Sequence, residues 1–144
     1  MSNSISIGVA FLDQDIVGAN VVSASTIYAT EQLGYSHGAY GTVTQSGNKA
    51  TAVTLNKTAG TITTSNAQMA PNAEVAFVVT NSQVSALDTV VVNIASGATA
   101  TFAYVVAVVT VTDGAFTINL SNVSSNAYTD TLKINFAILH ILST

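Results

Sequence analysis

The sequence predicts an all-β fold, a single antiparallel β-sandwich or jelly-roll-like domain carrying an N-terminal arm. Three observations predict it. From Gly41 onward, apolar and small polar residues alternate with the period of two that a half-buried strand requires. Gly, Asn, Asp and Ser interrupt these runs at the short spacings of strand-to-strand turns. No long segment shows the helical period of an amphipathic stripe.

Residues 1–40 read as the arm with its first short strands, SISIGVA and VGANVVSAS. The Gly- and Tyr-rich TIYATEQLGYSHGAYG follows, in which YATEQL suits a helical turn before Gly34, Gly38 and Gly41 interrupt it. Residues 41–144 read as the sandwich. GTVTQ alternates, and KATAVTLN places Val53 and Leu55 on one face. NKTAG is a turn, TITTS a short strand, and SNAQMAPNAE a loop centred on Pro71, the only proline. EVAFVVTNS puts Val75, Phe77 and Val79 on one face. The strands DTVVVNIASG, TATFAYVVAVVTVT, AFTINLSNV and TLKINFAILHIL complete the set.

The apolar run from Phe102 to Val109 is the most distinctive of these. It falls far short of the roughly 20 residues of a membrane-spanning helix. Asp113-Gly114 favours a type I′ turn, which folds the run back onto AFTINL as an antiparallel hairpin. Phe102, Tyr104, Val106 and Val108 then line one face, and Ala103, Val105, Ala107 and Val109 the other. Both faces are apolar, so both need cover. The core covers one; the arm or a neighbouring subunit covers the second, which makes Val105, Ala107 and Val109 candidate subunit contacts.

Composition bounds the function. Of 144 residues 49% are apolar and 7% charged, against about 25% charged in ordinary globular proteins. Three lysines, no arginine and seven acids give a net charge of -4, a balance unsuited to nucleic acid or to anionic membrane surfaces. Thr, Ser and Asn replace the missing charge, leaving a surface that repels its own copies weakly and so favours self-association. The start of the chain lacks a basic segment and meets Asp13 and Asp15 early, unlike a signal peptide, and no membrane insertion is expected. There is no cysteine, and neither His37 nor His140 has a second ligand at metal-binding spacing. Asp13-x-Asp15 does not complete a calcium cage. No nucleophile elbow, P-loop or dinucleotide fingerprint occurs. The expectation is a protein that is not an enzyme and holds neither cofactor nor metal.

The block from GTVTQ through KATAVTLNK, GTIT, VAFVVTNS and DTVVVNIASG, with the later INLSNVS and its closing strand, resembles a β-module of tailed-bacteriophage virion proteins. The likeness covers Gly34 to Leu139, and departs from that pattern in having less Gly near Ala98 to Phe102 and unusually little charge. It implies a structural part of a phage particle, with no catalytic residues. With only about 40 residues before the module, the resemblance points to a small capsid decoration (cement) protein, made in the bacterial host cytoplasm and carried on the virion. Its partners would be the major capsid protein and its own copies, as a trimer. The arm residues Ile5, Ile7, Val9, Phe11 and Leu12 would contact the shell. The alternative is a receptor-binding tip of a head or tail fibre, with Tyr35, Tyr40 and Tyr128 stacking on sugar rings.

Overall fold

The computed structural model describes residues 25–141. The chain divides into two compact units, Met1–Leu33 and a second beginning at Gly34, and the β domain is the second. A one-turn 3-10 helix, His37–Ala39, leads directly into the first strand. YATEQL forms no helical turn.

Eight strands follow: β1 Tyr40–Thr44, β2 Val53–Thr54, β3 Ala59–Thr63, β4 Glu74–Thr80, β5 Thr89–Ser96, β6 Tyr104–Thr112, β7 Ala115–Asn122 and β8 Lys133–Leu139. They build two four-stranded sheets in the orders β1-β3-β8-β5 and β2-β4-β7-β6. The expected all-β sandwich is therefore present. It is not wholly antiparallel: β1 pairs with β3, and β2 with β4, in parallel. The cause is the route of the chain. It switches sheets at every connection except β6 to β7, so β1 returns to its own sheet as β3 only after passing through β2, a crossover that delivers a parallel neighbour.

Alternation in sequence becomes alternation in burial. Along β7, Phe116, Ile118 and Leu120 point inward, and along β8 Ile134, Phe136 and Ile138 do the same. Facing residues from both sheets join Val53, Ile62, Phe77, Val79 and Val90 in one core. Phe116 and Phe136 meet across it at 5.3 Å between ring centroids, tilted by 56°. Each buried side chain of this size contributes about 1.5–3 kcal/mol of transfer free energy. A second cluster of Met69, Ala103, Tyr104, Leu120 and Leu132 closes one end of the sandwich.

Gly41 and Gly60 do not mark turns. They face each other in the β1–β3 ladder, where the side chain of Leu55 fills the space that their missing Cβ atoms leave. A Cβ on Gly60 would lie 2.7 Å from the Gly41 carbonyl oxygen and 3.0 Å from the Phe136 ring. Replacing Gly60→Ala is expected to destabilise the fold by about 1–3 kcal/mol through overpacking. Urea unfolding should show a lower midpoint with an unchanged slope.

Candidate functional site

The β6–β7 hairpin forms as expected, but its turn differs from expectation. Among the described residues β6 is an edge strand of its sheet, so the cover expected on its second face is not a further strand of that sheet. Gly114 has φ +79°, whereas Asp113 is not in the positive-φ region, so the turn is not type I′, which needs both. Tertiary bonds dictate its shape: Gly114 N–H donates to the Val84 carbonyl, its own carbonyl accepts from Asn81 N–H, and the Asp113 carboxylate accepts from Ala86 N–H.

The strand begins at Tyr104, two residues later than the apolar run. Phe102 and Ala103 consequently leave the faces assigned to them. Ala103 is buried in the end cluster, and Phe102 stands 90% exposed in a turn with φ +59°. Tyr104, Val106 and Val108 point inward, while Val105, Ala107 and Val109 point out. The register against β7 slips between Val108 and Thr110, making Val109 a bulge residue. The extra residue lets both Val108 and Val111 reach the core.

The structure thus brings Val105, Ala107 and Val109 together on the solvent side, with Val105 53% and Val109 56% exposed. Their cross-strand neighbours on that side are Ser121, Asn119 and Thr117 of β7, followed by Glu74, Ala76 and Val78 of β4. Glu74 is the one charge among them, and its carboxylate accepts from the Ser121 hydroxyl. The outer face of the other sheet also exposes Val91 and Leu139, but its centre is a hydrogen-bonded polar ladder from Tyr40 to Thr61 to Asn135. Sequence reasoning missed Phe102, Val78 and Val123 as exposed apolar groups. The positive φ that expels Phe102 from the strand carries no local signal such as Gly.

The five arm residues Ile5, Ile7, Val9, Phe11 and Leu12 lie outside the described residues. The three tyrosines of the sugar-stacking alternative have internal roles. The Tyr35 hydroxyl donates to the Ile138 carbonyl, Tyr40 bonds Thr61, and Tyr128 packs on Tyr104 while bridging to Met69.

Titratable groups fasten loops. Lys49 is buried, its ammonium donating to the Ser65 and Asp130 carbonyls and to the Thr64 hydroxyl. Burial lowers its pKa, opposed by the nearby Asp130 carboxylate. Burial works against the Asp130 charge as well, but the Thr99 hydroxyl and amide hold its pKa below the usual carboxylate range. Burial, reinforced by Asp130, pushes Tyr104 up to about 12, although its hydroxyl makes no hydrogen bond of proper geometry. At the opposite end of β8, Asp88 accepts from Ser85 N–H at 2.8 Å, Ile141 N–H at 3.0 Å and the His140 ring at 3.0 Å. The Ser85 amide is the main cause that lowers its pKa to about 2. Among the described residues no group of three or more His, Asp or Glu is placed to hold a metal ion, and no helix is long and apolar enough to cross a membrane. Comparison of the chain with protein-family models, curated proteins and solved structures yields no match.

Two outcomes follow from these contacts. Lys49→Met strands a buried carbonyl, that of Ser65, and a part-buried one, that of Asp130, and should cost about 2 kcal/mol in chemical denaturation. Asp88 has a folded pKa below its ordinary 3.8, so its contribution is present above pH 3.8 and is lost as pH falls toward 2. Thermal melts across that window should fall steeply for the native chain and more shallowly for Asp88→Asn.

Proposed function

We propose that this chain is a non-enzymatic decoration (cement) protein of a tailed-bacteriophage capsid, self-assembling as a trimer and attaching to the major capsid protein. Two things support the reading. The first is the resemblance to phage virion β-modules over Gly34 to Leu139. The second, which carries it, is the outer face of β6: Val105, Ala107 and Val109 exposed together, on the edge strand of the sheet that the described residues form, among neighbours of which only Glu74 is charged. Such a face is a liability on an isolated protein and an asset in an assembly.

The mechanism is mechanical. Apolar burial between copies removes the valine face from water, and a surface with few charges adds little repulsion between them. Each trimer then presents three shell contacts through its arms, residues Ile5, Ile7, Val9, Phe11 and Leu12. Binding at one contact raises the effective concentration of the others, so individually weak attachments hold collectively. In the fibre-tip alternative the rings of Tyr35 and Tyr40, 45% and 42% exposed, would stack on sugar, their hydroxyls being bonded within the domain.

Light scattering of the purified chain should give a trimer, and Val105→Asp with Val109→Asp should give a folded monomer with an unchanged circular dichroism spectrum. In electron-microscopy maps of particles carrying this chain, hundreds of copies on the head are expected. A few copies confined to a vertex or tail would overturn the capsid assignment.

A further inference from the structure

The 97–103 loop spends conformational freedom on displaying one aromatic ring. Gly97, at φ +97°, lies so close to the Thr131 carbonyl that no Cβ fits there. Asp130 takes two hydrogen bonds from Thr99, Ala103 N–H donates to the Ala100 carbonyl, and Val123 N–H donates to the Ala103 carbonyl. Thr99 and Ala103 are thus tied down on either side of Phe102, which with Asn72 is one of two non-glycine residues at positive φ among the described residues. Within the domain, a phenylalanine there gains almost nothing: it is 90% exposed and belongs to neither core cluster. Strain at an exposed aromatic, held by surrounding bonds, marks a contact made elsewhere.

The same end of the sandwich offers a hollow of matching size. A groove of about 230 Å³ has a floor of Met69, Val75 and four alanines, among them Ala70, and a polar rim of Asn48, Gln68, Glu74 and Lys49, whose ammonium is already bonded inward. A cavity of about 150 Å³ suffices for benzene. The groove and the Phe102 loop both border the cluster of Met69, Ala103 and Tyr104. The loop carries no charge, so the chain's net charge of -4 sets up no repulsion at the ring itself.

We propose that Phe102 is the knob of a head-to-tail contact, seating in this groove on a second copy of the chain. The inference rests on the self-assembly reading above and deepens it. A head-to-tail contact of this kind uses one knob and one groove per copy without reciprocal exchange, and it closes into a ring when its rotation permits, here of three copies. The valine face of β6, which begins two residues after Phe102, lies beside the seam.

The test uses full-length chain in light scattering and sedimentation. Phe102→Gly removes the knob and relieves the backbone, because glycine takes positive φ without a Cβ clash. At concentrations low enough for both to be monomeric, it should melt no lower than the native chain, while its self-dissociation constant rises about thirtyfold or more. Ala70→Trp fills the groove and should also give monomer. An equimolar mixture should form a 1:1 complex, since one variant keeps the groove and the other keeps the ring. Retention of the native oligomer by either variant, or a mixture that stays monomeric, overturns the knob. A native chain that is monomeric at every concentration overturns self-assembly itself.

Discussion

The packing of β7 against β8 across the sandwich is the contact on which everything else depends. Each is an interior strand of its sheet, and their inward residues, with Phe116 and Phe136 in ring contact, tie the two sheets together. Because only one connection in the domain is a hairpin, local turns cannot set the arrangement of the other strands. The sheets hold their order because apolar rows on both sides share one dry layer. Without that layer, the parallel β1–β3 and two-residue β2–β4 pairings would have too few bonds to persist.

Charge is scarce, so polar order at the loops comes from neutral groups. Asn81 and Asn122 are completely buried, and each accepts from the amide two residues ahead while donating to carbonyls of a distant loop. Asn122 alone donates to carbonyls of Met69, Ala70 and Asn126. Lys49 does the same work with a charge, at the expense of desolvation. Among the described residues the loops are thereby fixed mainly by neutral groups, with His140 and Asp88 at 3.0 Å as the ion-pair geometry.

Much of this was legible beforehand, and the reasons are physical. Strands with one buried face write their period into the sequence, as Phe116, Ile118 and Leu120 or Val75, Phe77 and Val79 do. Val105, Ala107 and Val109 were identified as an outward apolar set by the same alternation. What alternation cannot convey is where a strand starts. Phe102 and Tyr104 are equivalent under a period of two, yet a single positive φ places one in water and the other in the end cluster. Parallel pairing was equally hidden, since it depends on which sheet each connection enters. Gly41 and Gly60 looked like punctuation, because the sequence alone does not show a leucine occupying the space above them.

The position of β8 has a consequence in time. It lies between β3 and β5, yet it leaves the ribosome after all seven other strands. Until it arrives, β3 has only β1 as a partner, and β5 has none in its own sheet. The nascent chain must therefore wait with half of its core unclosed, and folding becomes a late, nearly all-or-none event dominated by distant contacts. A chain that folds by this route is exposed to aggregation until its last strand arrives, and its low charge gives it little electrostatic protection during that wait.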